Sequence, residues 1–208
     1  MKKIMLSLLL ALSVAAGASA SQTTMHEEGE RFKFDYPVFS QTSAKAAQRM
    51  NKDITKLLQN SRKLLQDEYI AQVATGYEVY FENPQYVSFT FNSYQYYRSA
   101  AHGMSYLQGY VYDKTSGKKM PYTRFTAPLD AEQLKHDILN KKVTVYCQDL
   151  KTTSNAPFLP YNTDFKVSKN YVLDKDGKAL YLIYQAYDLD CYAAGPLFVK
   201  IPLSETIN

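Results

Sequence analysis

The chain has no tryptophan, two cysteines, three histidines, eight glycines and eight prolines in 208 residues. Each shortage excludes something. Two cysteines cannot staple a disulfide-scaffold miniprotein. His26, His102 and His136 are scattered, which argues against a histidine metal centre, and no metal or other cofactor is expected. Too few glycines and prolines are present for a collagen-like or low-complexity chain. The formal charge of +4 is small and spread along the sequence, so it carries no nucleic-acid footprint. What is abundant is tyrosine: 19 residues, nine of them between Tyr77 and Tyr112. With 46% hydrophobic and 21% charged residues the composition is that of a folded globular chain.

The first twenty residues read as an address. Lys2 and Lys3 precede an apolar run from Ile4 to Val14, and Ala18-Ser19-Ala20 is a small-x-small cleavage site. The run is too short for a comfortable bilayer span, and no later segment is long and apolar enough to make one. The expected assignment is residues 1–20 as signal peptide, 21–30 as a loose N-terminal segment and 31–208 as one domain. The mature protein is expected to be exported to the periplasm or the medium, with no membrane span. Removing Lys2 and Lys3 leaves a charge of +2. In an oxidising compartment Cys147 and Cys191, 44 positions apart, are expected to form one bridge. Such a loop closure is worth about 4 kcal/mol by chain entropy.

Beyond the leader, Phe32, Phe34 and Tyr36 alternate with Arg31, Lys33 and Asp35, giving a half-buried strand that ends at Pro37. A long helix is expected from about Ala44 to Tyr69, its apolar stripe running through Met50, Ile54, Leu57, Leu58, Leu64 and Leu65. Strands follow over Tyr77–Glu82, Tyr86–Arg98 and Met104–Tyr112, then a short helix capped by Asp130. The segment 141–150 fits either a strand or an extension of that helix. A hairpin turns at Asp174–Gly177, and a short strand begins at Leu197. The expected class is α+β: one long and one shorter helix packed on a mainly antiparallel sheet.

The tyrosines have a parity. Val87, Phe89 and Phe91 are odd, whereas Tyr94, Tyr96, Tyr106, Tyr110 and Tyr112 are even. Either a bulge near Asn92-Ser93 returns the tyrosines to the core face, or the hairpin has one Val/Phe/Leu face and one tyrosine face. The second arrangement, favoured here, pairs Tyr96 with Tyr106 and Asn92 with Tyr110. It makes Tyr94, Tyr96, Tyr106 and Tyr110, with Arg98 and His102 at the turn, the candidate binding face.

Catalytic signatures are scarce. G-x-S-x-G, H-E-x-x-H and P-loop patterns are absent. His102 is the one residue placed for general-base work, and Asp113, Asp188 and Asp190 the one set conceivable as paired carboxylates. All four sit where turn residues normally bond local backbone.

Tyr36-Pro37, Asn51 and Ile54 on the helix, Ala101-His102-Gly103, Tyr112-Asp113 with Gly117-Lys118, Tyr192-Ala193-Ala194-Gly195-Pro196 and Ile201-Pro202 occur in an order that resembles a bacterial extracytoplasmic domain. It is the domain shared by the anti-sigma factor RsiV and the N-terminal part of the peptidoglycan deacetylase PdaC, and the resemblance covers about Arg31 to Glu205. It implies an α+β fold and, by analogy with RsiV, a lysozyme-like protein or peptidoglycan as partner. The sigma-binding segment, the membrane span and the deacetylase domain have no counterpart here, so those activities do not transfer. The expectation is an exported soluble binding module of the cell envelope. The alternatives are a cell-wall hydrolase using His102, and a structural envelope protein without a small ligand.

Overall fold

In the computed structural model, residues 21–40, 43–154 and 164–207 are described, so the proposed leader over 1–20 lies outside them. Nine strands and two α-helices are present among these residues. The strands are β1 (Gln22–Gly29), β2 (Phe32–Phe39), β3 (Ile70–Glu82), β4 (Tyr86–Tyr97), β5 (Met104–Asp113), β6 (Val145–Tyr146), β7 (Tyr171–Leu173), β8 (Ala179–Tyr184) and β9 (Leu197–Pro202). They form a five-stranded sheet in the order β1-β2-β3-β4-β5 and a four-stranded sheet in the order β6-β9-β8-β7. Helix α1 (Ala44–Leu64) has 21 residues and α2 (Ala131–Leu139) has nine.

This overturns the expected α+β class. The chain is mostly β, in two sheets, and the long and short helices are the smaller part of it. β1 departs from the expectation of a loose segment over 21–30: it is a polar strand whose partners are charged groups rather than an apolar stripe. β7 and β8 form the hairpin expected around Asp174–Gly177, and both are buried along their whole length.

By contacts within the chain there are two compact units. The first takes the described residues up to Tyr77, together with Phe91–Tyr106 and Lys114–Lys118. The second takes Glu78–Thr90, Leu107–Asp113 and the described residues from Lys119 onward.

In the first unit β2 runs parallel to β3, with Phe32 opposite Val73, and a parallel pair needs a crossover. Helix α1 supplies it. Ala46, Met50, Ile54, Leu58 and Ser61, at three- and four-residue steps, form its buried face. Ser43 caps its start by accepting from the Ala46 N–H at 3.2 Å. At its end the Arg31 guanidinium donates to the carbonyls of Leu65 (2.6 Å) and Ile70 (3.0 Å). Asn51 ties the helix to β2: its Oδ1 accepts from the Phe39 N–H (2.8 Å) and its Nδ2 donates to the Phe39 carbonyl (2.9 Å).

β1 pairs antiparallel with β2, His26 directly opposite Asp35 and Glu27 opposite Phe34. The His26 ring lies 2.6 Å from Asp35 Oδ1. Glu27 accepts from the Tyr36 hydroxyl (2.6 Å) and from Arg62 through both oxygens (2.7 and 2.6 Å). These bonds, from β1 to β2 and from β1 to α1, hold an otherwise polar edge strand in place.

In the second unit the main apolar cluster joins Phe81, Tyr86, Val111, Leu134, Ile138 and Val145 to the buried faces of β7, β8 and β9. Asp130 caps α2 as expected, its Oδ1 accepting from the Gln133 N–H at 2.8 Å. The segment 141–150 resolves as the two-residue strand β6. β5 ends the five-stranded order, and side-chain amides occupy part of its backbone. Asn170 accepts from the Gly109 N–H and donates to the Leu107 carbonyl, while Gln185 accepts from the Leu107 N–H (3.0 Å) and donates to the same carbonyl (2.8 Å). An edge strand engaged in this way is a poor template for another chain.

The expected bridge is absent: Cys147 and Cys191 are free thiols. Cys147 donates its N–H to the Thr152 carbonyl in the turn after β6, and Cys191 is exposed before a short 3-10 turn. A disulfide requires Cα atoms within about 7 Å and converging Cβ directions, which sequence spacing does not set.

Candidate functional site

Five of the six residues proposed from sequence lie in the first unit: Tyr94, Tyr96, Arg98, His102 and Tyr106. They belong to the end of β4, the turn and the start of β5. Tyr94 and Tyr96 are two apart on β4, so they project on the same side of it. Both are half-buried and held: the Tyr94 ring lies against Gly103, where a Cβ would collide with it, and the Tyr96 hydroxyl donates to the Ala100 carbonyl at 3.3 Å. Tyr106 is 53% exposed and Tyr97, which sequence reasoning passed over, 37%. Arg98 and His102 are exposed at the turn. The Arg98 N–H donates to the Tyr69 carbonyl (2.9 Å), and His102 Nδ1 to the carbonyl of Gly103 (3.1 Å).

Tyr110 does not belong to an exposed face. It is 8% exposed, stacked on Phe89 (5.4 Å between centroids) and on Tyr112 (5.8 Å), with the Lys119 ammonium 4.1 Å from its ring centre. Tyr112 also stacks on Phe89, at 6.0 Å. Leu107 lies instead in a cluster with Val172, Tyr181, Ile183 and Phe198. The anticipated division into a Phe/Leu face and a tyrosine face therefore fails for this part of the hairpin. Side chains alternate along a strand, so a one-residue change of register exchanges its faces, and the turn residues alone did not fix that register.

Two of the three carboxylates considered for hydrolysis, Asp188 and Asp190, are engaged locally. Asp188 Oδ2 accepts from the Gln185 N–H (2.7 Å) and Asp190 Oδ1 from the Cys191 N–H (2.6 Å). Among the described residues no group of three or more His, Cys, Asp or Glu side chains is placed to hold a metal ion.

The second unit has a site that sequence reasoning missed. A cleft of about 410 Å³ is lined by Tyr80, Tyr181 and Leu150 with Glu78, Asp174 and Lys200, among others. Tyr80 stacks on Phe198 at 6.2 Å, and Tyr146 meets the Tyr181 ring edge-on at 6.0 Å. Burial raises the Tyr80 hydroxyl above its ordinary pKa, and the Glu78 charge adds to the shift. Burial likewise raises Tyr181, with Asp174 the next cause. Both phenols therefore stay protonated and act as donors at neutral pH. Leu150 has φ +52°, a left-handed backbone that is rare for a bulky residue. The cleft draws on β3, β8, β9 and two turns, so no contiguous motif announces it.

The arrangement defines a mostly β protein of two sheets with one helical crossover. Solved structures share it. A crystal structure of a DUF3298-family member from Bacteroides fragilis superposes with a TM-score of 0.54 at 16% identity, covering 89% of this chain and 93% of that one. A DUF3298-family protein from Pseudomonas aeruginosa gives 0.55 at 16% identity, covering 87% and 88%. At this identity the likeness is one of fold, to proteins named as a domain family of unknown function. No protein-family model matches the chain. No curated protein matches it either.

Proposed function

We propose that the chain is an exported binding module of the bacterial cell envelope that recognises peptidoglycan-type glycan and carries out no chemistry of its own. The reading joins the leader-like N-terminus and the RsiV/PdaC-type sequence pattern to one structural observation. That observation is the row of tyrosines at the β4–β5 turn, Tyr94 and Tyr96 braced by the turn and Tyr106 open to solvent. A braced tyrosine offers an apolar ring face and a hydroxyl with little conformational entropy left to lose, which suits sugar rings. Arg98 adds a donor fork beside them. His102 is read as a turn residue in this account, with its ring bonded to Gly103.

Co-sedimentation with insoluble peptidoglycan, run beside capture on immobilised lysozyme, tests this. Retention on peptidoglycan that falls at least tenfold in a Tyr94→Ala/Tyr106→Ala double variant is the expected result. Capture by lysozyme alone would transfer the partner from the glycan to the enzyme that cleaves it. Retention by neither refutes the binding-module reading.

A further inference from the structure

The cleft in the second unit contains a carboxylate with an open position. Asp174 is 6% exposed. Its Oδ1 accepts both turn N–H groups, from Lys178 at 2.7 Å and Ala179 at 3.1 Å. Among the described residues no hydrogen bond reaches its Oδ2. A buried carboxylate is costly unless its charge is compensated, and an incompletely bonded one on a cleft wall is a place for a cation. Two tyrosine rings line the same cleft, and rings of this kind attract ammonium groups through their faces. The protein already displays that attraction: the Lys200 ammonium lies 5.8 Å from the centre of the Tyr181 ring. Glu78 and Asp176 add negative charge to the lining. Lys175 and Lys151, also on the lining, are exposed and free to extend into solvent.

We infer that this cleft binds a primary ammonium group, seated between Asp174 Oδ2 and the Tyr80 and Tyr181 rings. Lys200 is then the internal competitor, its own four-carbon stem and ammonium occupying part of the place the ligand takes. The ammonium can come from a lysine side chain or from an amino sugar, and the two are separable by probe. The inference stands on the cleft alone and does not depend on the glycan reading of the tyrosine turn.

The test is a two-dimensional amide NMR titration of the full chain at fixed pH. The probes are Nα-acetyl-lysine methylamide, its uncharged isostere Nα-acetyl-norleucine methylamide, and glucosamine. Saturable shifts at Asp174, Tyr181 and Lys200 with either amine, and none with the norleucine probe, are expected; the better amine identifies the source of the ammonium. Asp174→Asn, which keeps an oxygen for the turn N–H groups, is expected to weaken binding about tenfold. Lys200→Met, which vacates the ring without touching the carboxylate, is expected to tighten it by about threefold or more. The second variant leaves β9 backbone pairing intact and keeps the inference testable if Asp174→Asn does not fold. No response to either amine, equal response to the norleucine probe, or weaker binding in Lys200→Met would each overturn it.

Discussion

Of the glycines in the second unit Gly109 is the most tightly packed, and it yields a sharp stability prediction. A Cβ built on Gly109 falls on the Tyr171 backbone, colliding with its carbonyl oxygen and lying 2.6 Å from its carbonyl carbon and 3.0 Å from its nitrogen. Neither atom is the end of a flexible side chain, so relief requires the two segments to separate. That movement pulls on the amide clamps: Asn170 on Gly109 and Leu107, and Gln185 on Leu107. Overpacking a close-packed contact costs about 1–3 kcal/mol, and each hydrogen bond lengthened beyond use adds about 1 kcal/mol. Gly109→Ala should therefore destabilise by about 3–5 kcal/mol, with a fall in Tm of roughly 6–20 °C for a chain of this size. Gly76→Ala is the control, because a Cβ there meets nothing within 4 Å. It should be neutral or gain about 0.5 kcal/mol from the lost chain entropy of glycine in a strand. Paired urea melts of the two variants read the difference. Equal midpoints would show that β5 does not approach Tyr171 as described.

Three further outcomes are expected. Gly117→Ala combines a left-handed backbone (φ +66°) with a Cβ 2.7 Å from Ala46 Cα and 2.9 Å from its carbonyl carbon, and should cost about 2–4 kcal/mol by denaturant melting; no loss would contradict that packing. Asn51→Ala removes both bonds to Phe39 and should cost about 1–3 kcal/mol, with Asn51→Asp recovering only the bond its oxygen accepts. The pairing of β1 with β2 should be pH-dependent from both sides. The hydrogen bond to Asp35 chiefly raises His26 above its ordinary 6.5, partly offset by burial, so its contribution is full below about 6.5 and is lost as pH rises through the folded value. Burial works to raise Glu27, but bonds from Tyr36 and Arg62 outweigh it and hold it below 4.5; its contribution is full above about 4.5 and is lost as pH falls through the folded value. His26→Gln should abolish only the alkaline limb in urea midpoints measured across pH, and an unchanged alkaline limb would sink the assignment.

How far the sequence went depends on which physics each element obeys. Helix α1 was readable because one-sided burial leaves a 3.6-residue stripe, and Met50, Ile54 and Leu58 are the residues that stripe named. Its end was misplaced: the expected helix ran to Tyr69, whereas it stops at Leu64 and β3 begins at Ile70. The Arg31 guanidinium that donates to the carbonyls at this end comes from 34 positions upstream of Leu65, and no local window contains it. β1 was invisible for a related reason. Its stabilisation comes from His26–Asp35 and Glu27–Arg62, pairs that look like solvated charge until β2 and α1 are beside them.

The same distinction governs the sites. At the β4–β5 turn, five proposed residues fall in one sequence-local stretch, so clustering in the chain was enough to gather them in one unit. Tyr110 failed because membership in a face is decided by register, and a tyrosine that stacks on Phe89 and Tyr112 serves the core. The cleft shows the opposite limit. Tyr80, Asp174, Tyr181 and Lys200 come from three strands and a turn spread over some 120 positions, and each alone has an ordinary reading: strand tyrosine, turn aspartate, strand lysine. Asp174-Lys175-Asp176-Gly177 was correctly read as a hairpin turn, and that reading accounts for Oδ1 completely. It leaves Oδ2 without a task. A turn needs one acceptor, a serine or asparagine could supply it at less cost in a 94%-buried position, and the excess charge is what a turn signal cannot explain. The tyrosine excess thus divides by environment into three uses: core stacking at Tyr110 and Tyr112, a braced turn at Tyr94 and Tyr96, and a cleft wall at Tyr80 and Tyr181. Only the last places rings beside a carboxylate with bonding capacity to spare.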